Sequence, residues 1–181
     1  MKKIIMNQTV VNSPNVLIYL IADDGAIPNN LALPLLVYKG ALTLPRQYPA
    51  ATIEALFAAN QWGSSWRNGV YRYHHYHSTA HEVLACYSGS VTVKMGGESG
   101  VTLSVEKGDV IIVPAGVGHK NLGNSSDFGV VGAYPPGQSW DLLTGQPGER
   151  PRADQNIARV PLPPTDPVYG KTGPLIDEWL K

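Results

Sequence analysis

Residues 69–89 read GVYRYHHYHSTAHEVLACYSG and hold four of the chain's five histidines, at positions 74, 75, 77 and 81. Histidine is the commonest metal ligand among side chains, and Glu82 sets a carboxylate beside the cluster. The fifth histidine, His119, closes a second ordered stretch, GDVIIVPAGVGH at 108–119. On a strand, side chains alternate between faces. His75 and His77 therefore share one face, and His74 and Tyr76 the other. Ser78-Thr79-Ala80 turns the chain and brings Glu82 back across from the pair. His119 follows a Pro-x-Gly turn at the mouth of another strand. An isolated His-x-His pair reads as two histidines on a wet face. The Gly and Pro punctuation around both stretches argues instead for two halves of one site, with three imidazoles and one carboxylate around a metal and room for water or substrate.

The surrounding sequence is β-rich. It has 19 Gly and 15 Pro in 181 residues, which marks many turns. From 69 to 134, seven short segments of strand character follow one another: 70–77, 82–88, 90–95, 101–105, 109–113, 118–122 and 128–134. Turn signals separate them, the pattern of a sandwich or barrel. No helical segment interrupts them, which excludes a parallel α/β sheet. Residues 1–68 form a first arm, with strands expected at 16–22 and 33–40 and a helix from Pro49 to Asn60 whose Ile53, Leu56 and Phe57 share a face. Residues 135–181 form a second arm that carries nine of the prolines. Turn and polyproline structure is expected over 135–173, and a terminal helix over 175–181 with Leu175, Trp179 and Leu180 facing inward. The length suits a single domain with two arms.

Composition bounds the function. Lys+Arg and Asp+Glu both number 14, and no basic run occurs, so the clustered cations that nucleic acid binding needs are missing. The longest apolar run, 16–22, is too short to cross a bilayer. The opening MKKIIMNQTVVN has no apolar run of leader length, and a single cysteine, Cys86, excludes an intrachain disulfide. A cytoplasmic protein is expected. A net charge of zero gives little colloidal repulsion and suits self-association; a homodimer is expected.

The two stretches resemble the paired motifs of the cupin superfamily, the RmlC-like proteins. Gly69, His75, His77, Glu82 and Gly89 match the first motif, and Gly108, Pro114, Gly116 and His119 the second. The second motif's final Asn is absent: position 123 is Gly, with Asn121 and Asn124 nearby. The runs HYHSTAHEVL and PAGVGHKNL look more narrowly like small bacterial cupins of the YjlB type, a group of unassigned function. The resemblance implies a double-stranded β-helix jelly-roll barrel with a few peripheral helices. It also implies one divalent metal ion (Fe, Mn, Ni, Zn or Co) held by His75, His77, Glu82 and His119. His81 occupies the motif's alternative ligand slot, but Glu82 has the required spacing to Gly89.

Strand parity adds further candidates. Tyr71 and Tyr73 share the face of the His-x-His pair; Tyr71 is expected to fill the barrel, and Tyr73 is the candidate catalytic residue, orienting a substrate or donating a proton. Cys86 reads as a small buried residue, and Trp62, Trp66 and Trp140 as packing groups. Three neutral imidazoles and one carboxylate leave a divalent cation with a net charge of +1, which favours an anionic ligand. The expectation is a metal-dependent enzyme of the isomerase or dioxygenase type acting on a small polar or anionic molecule. The alternative is a non-catalytic cupin that binds a metabolite or sugar around a structural metal.

Overall fold

A computed structural model describes residues 10–181; the opening stretch read above as lacking a leader lies largely outside the described residues. Eleven strands and three helices follow in order: β1 (Val10–Val11), β2 (Asn15–Tyr19), β3 (Leu35–Lys39), β4 (Leu42–Thr43), α1 (Pro49–Ala59), β5 (Gly63–Asn68), β6 (Glu82–Ser88), β7 (Ser90–Met95), β8 (Val101–Glu106), β9 (Val110–Val113), β10 (His119–Asn124), β11 (Gly129–Tyr134), α2 (Arg152–Ile157) and α3 (Pro174–Trp179). The main sheet has the order β2-β3-β9-β6-β11-β5. A smaller sheet runs β10-β7-β8, and β1 pairs with β4. Every ladder is antiparallel.

Period-2 alternation sorts the side chains into two cores. Leu84, Cys86, Ile111, Val113 and Val130 project from the main sheet onto Val91, Val93, Met95, Leu103 and Val105 of the smaller one. Val83, Ala85, Val110, Ile112, Val131 and Ala133 project from the other face onto Ile53 and Phe57 of α1, Trp62, and Leu175 and Trp179 of α3. Central strand β9 is buried on both faces, so its sequence is an unbroken apolar run. The result is a mainly β jelly-roll sandwich with short peripheral helices, its two sheets packed face to face.

Three local expectations are revised. Residues 70–77 do not form a strand. They cross from β5 to β6 with single bridges, His75 to His119 and Tyr76 to Leu143, so their backbone bonds are shared between two neighbours. The strand beside them is β5, GSSWRN, which among the described residues is an edge strand paired with β11 and is largely exposed; it has no apolar alternation to betray it. The Pro-rich arm contains a helix, α2, tied by Arg150, which donates to Asp154 and, across the molecule, to Asp23 of the first arm. Leu175 and Trp179 of α3 are buried as expected, but Leu180 is 42% exposed.

The second arm is fastened to the main sheet by Asp166, which is fully buried. Its carboxylate accepts from Tyr38 Oη at 2.7 Å and from the backbone N–H groups of Val168, Tyr169 and Leu175 at 2.8, 3.0 and 3.2 Å. Burial pushes the carboxyl's pKa up against the pull of these donors. Asp166→Ala leaves four buried donors without an acceptor, each costing about 1–3 kcal/mol when unmade. We expect a loss of about 3 kcal/mol or more in urea unfolding, with a smaller loss for Asp166→Asn.

Candidate metal centre

The site lies at one end of the sandwich, where the segment before β6 meets the start of β10. Gly116 makes the turn that delivers His119. Its φ is +94°, and an added Cβ would lie 2.3 Å from the carbonyl oxygen of Asn29, so only glycine fits there. His75 then exchanges two backbone bonds with His119: His75 N–H donates to His119 O at 3.2 Å, and His119 N–H to His75 O at 2.8 Å. That exchange brings the two histidine stretches side by side.

His75, His77 and His119 are buried, and their ligand nitrogens lie within 4.8 Å of one another. Each ring is oriented by a backbone carbonyl. His75 Nδ1 donates to Tyr73 O and His119 Nδ1 to Val117 O, both at 3.2 Å, and His77 Nδ1 donates to Asp141 O. A carbonyl only accepts, so each Nδ1 carries the proton and each neutral ring keeps its lone pair on Nε2. Glu82, at the start of β6 and buried, completes the group. Its Oε2 is 3.3 Å from Nε2 of His77 and of His119, yet lacks the alignment of a hydrogen bond to either and has no donor. Its Oε1 accepts from Tyr134 Oη at 3.1 Å, and Tyr134 Oη accepts in turn from Trp66 Nε1 at 2.8 Å.

Three lone pairs thus gather in a buried site, two of them, on His77 and His119, beside a bare oxygen of Glu82. Buried acceptors in this arrangement are costly unless a cation joins them. The donor set of three nitrogens and one oxygen fits a divalent transition ion. The electrostatics differ from ring to ring. Burial, helped by neighbouring His119, pushes the His75 pKa down to about 3, so this ring stays neutral. Burial also works to lower His77, but the Glu82 carboxylate outweighs it and holds His77 above the ordinary imidazole value. Burial works to raise Glu82, but His119 and His77 outweigh it and hold the carboxyl well below the usual carboxylate range.

The remaining candidates separate clearly. His81 points to the opposite face of the main sheet: its Nδ1 accepts from Ala115 N–H at 2.9 Å, and its ring lies 4.9 Å from that of Trp179. Burial pushes its pKa down to about 4. Glu82, not His81, therefore stands among the three imidazoles. Tyr71 is exposed and lines the site's cavity instead of filling the interior; it stacks on Tyr73, which is 45% exposed. Cys86 is buried; its thiol donates to Ser88 O at 3.2 Å, and burial pushes its pKa up to about 11. Asn121 bonds within its own turn, to Asn124 and Gly123, and Gly123, the departure from the second motif, sits at a register shift in β10.

Sequence reading missed the walls. Trp62 is a core residue as expected, but Trp66 and Trp140 line the site's cavity together with Tyr134. Trp66 lies flat against Gly132, where an added Cβ would come within 2.2 Å of the indole. The parity of β11, with Val130 facing inward, also places Gly132 and Tyr134 inward; that was the available signal. Trp140 and Asp141 arrive from the second arm, held by Asp141 Oδ1, which accepts from Ser78 N–H at 2.6 Å. Among the described residues, no helix is long and apolar enough to cross a membrane.

Residues 67–131 match the Cupin_2 family, a cupin domain. The chain is 42% identical over 163 residues to the uncharacterized protein YjlB of Bacillus subtilis (strain 168), covering 90% of this chain and 96% of that protein. Among solved structures it is similar to an acireductone dioxygenase from Bacillus anthracis with a cadmium ion in its active centre, at 18% identity and a TM-score of 0.39, over 52% of this chain and 63% of that one. It is also similar to a DUF861 family protein from Thermotoga maritima, at 24% identity and a TM-score of 0.33, over 55% and 96% of the respective chains. Matched to YjlB along nearly its whole length, with both histidine stretches inside the cupin span, the chain belongs to the cupin superfamily and groups with YjlB.

Proposed function

We propose that this cupin is a metal-dependent enzyme of the isomerase or dioxygenase type. In this reading His75, His77, His119 and Glu82 hold one divalent ion, and a small polar or anionic molecule is turned over beside it. The observation that carries the reading is the buried gathering of three imidazoles whose ligand nitrogens lie within 4.8 Å of one another, with an unpartnered Glu82 oxygen 3.3 Å from two of them. A divalent cation in that position supplies Lewis acidity and open coordination sites for ligand oxygen atoms.

The chain's own residues supply the rest. The carbonyls of Tyr73, Val117 and Asp141 hold the imidazoles in one tautomer, the outer support that metal-binding histidines need. Tyr134 orients Glu82 through Oε1. Burial, and then the Glu82 charge, raise the Tyr134 pKa, so its hydroxyl keeps a proton at the cavity wall. We assign proton holding to Tyr134, and to Tyr73, the candidate catalytic residue of the sequence, a part in orienting the ligand. The apolar walls around these groups exclude water from the ligand position. As for assembly, among the described residues the main sheet ends at β2, which carries Ile18, 49% exposed; this supports a homodimer built on that edge.

Elemental analysis of the purified protein is expected to find one divalent transition ion per chain. His75→Ala, His77→Ala, His119→Ala and Glu82→Gln lose it, whereas His81→Gln keeps it. Metal retained in Glu82→Gln and lost in His81→Gln would overturn the assignment. Tyr134→Phe keeps the fold and weakens metal binding about 10–100-fold, the usual cost of removing a ligand's outer support. Chelation lowers Tm, since about 4 kcal/mol of stabilisation goes with a metal held at a thousand times its Kd. Turnover is checked by oxygen uptake and isomer formation across a panel of small carbonyl and phenolic compounds. A metal-loaded protein inert to all of them would instead be a binding protein with a structural ion.

A further inference from the structure

The cavity over the proposed centre has a volume of about 270 Å³, below the ~300–1,000 Å³ of pockets for drug-sized ligands. Its floor is the three imidazoles and Glu82, and Trp66, Leu84, Tyr134 and Trp140 form much of its wall. Among the described residues, one cation borders it, Arg67, and that guanidinium is engaged. Its Nε and Nη2 donate to the two carboxylate oxygens of Glu54 at 2.7 and 2.8 Å. A site made for phosphate or for a dicarboxylate presents an unengaged arginine or lysine to it. Here the positive charge available to a ligand is the single net charge of the loaded centre.

The aromatic wall has a defined orientation. The rings of Tyr134 and Trp140 are inclined by only 19°, with centroids 6.3 Å apart, and Trp140 stands 5.7 Å from the His77 ring. Its neighbours are clamped: Thr79 Oγ1 donates to Ser139 O at 2.7 Å, and Asp141 is held by Ser78. Yet the indole is 50% exposed. A large ring held in place but left uncovered offers a stacking face. A flat molecule lying against Trp140 is nearly parallel to Tyr134 as well, and lies beside His77.

We infer that the cavity selects small, flat molecules that bear oxygen atoms for the centre and carry at most one negative charge, and that Trp140 is the residue that selects them. The inference rests on the reading of a metal centre for the oxygen-bearing end of the ligand; the stacking end is independent of it.

The test measures binding by calorimetry, with the protein both zinc-loaded and chelator-stripped. Zinc is used because it has no redox chemistry. Catechol is the flat probe, oxalate the dianionic one, and ethane-1,2-diol repeats catechol's oxygen spacing without the ring. Catechol is expected to bind zinc-loaded protein at least about tenfold more tightly than either of the others, and Trp140→Ala to weaken it about tenfold with or without zinc, the loss of one aromatic partner. Trp140→Phe retains most of the affinity, and Trp140→Ala weakens catechol several-fold more than it weakens oxalate. Oxalate binding as tight as catechol, or catechol affinity indifferent to Trp140→Ala, overturns the inference. Failure to take up zinc, with Trp140-dependent catechol binding in the stripped protein, would instead sink the metal reading and leave the stacking face standing.

Discussion

Two backbone hydrogen bonds between His75 and His119 hold this site together. They join a segment that leads into the main sheet to the first residue of the smaller sheet's outer strand. Neither sheet contains the site. Glu82 enters from β6 of the main sheet, His119 from β10 of the smaller one, and His75 and His77 from the crossing between β5 and β6. Because the bridge uses backbone groups, the relative height of the imidazoles is set by main-chain register and not by flexible side chains, which is how a rigid scaffold positions ligands to within a fraction of an ångström.

The arms that flank the sheets are part of the same construction. Asp141, from the chain after β11, offers its carbonyl to His77 and its carboxylate to Ser78. Trp140 beside it becomes a cavity wall. Further along, Asp166 gathers Tyr38 and three backbone amides, and Trp179 Nε1 donates to Pro34 O at 2.9 Å. Arg150 links Asp154 of the second arm to Asp23 of the first. The Pro-rich segment makes few sheet bonds of its own. It is ordered by side-chain acceptors that satisfy its backbone, the accounting every buried segment must meet.

A fully buried carboxylate facing three imidazoles is expensive to leave bare. Glu82 holds His77 above the ordinary imidazole value, and His119 and His77 hold Glu82 below the usual carboxylate range, so the carboxylate draws positive charge toward the site. The hydrogen bond from Tyr134 satisfies only one of the two carboxylate oxygens. The arrangement is therefore poor as a stabilising polar cluster and well suited to a ligand that brings positive charge.

Much of this was legible in one dimension. Short apolar or alternating runs between Gly and Pro turns mark β6 to β11, and Pro49, Ile53 and Phe57 mark α1, because burial on one face or both leaves its pattern in sequence. The spacing of His75, His77 and Glu82, and of Gly116 and His119, names four residues that the fold does bring together. Other features left no local trace. Strand β5 is polar because it lies at an edge, and its pairing comes from the backbone of β11. Residues 70–77 look like a strand but share their bonds between His119 and Leu143. The aromatic wall of Trp66, Tyr134 and Trp140 is assembled from segments far apart in the chain. Period and turn chemistry act between neighbours in sequence and can be read there. The shape of a cavity depends on contacts between distant segments, and only the folded chain decides it.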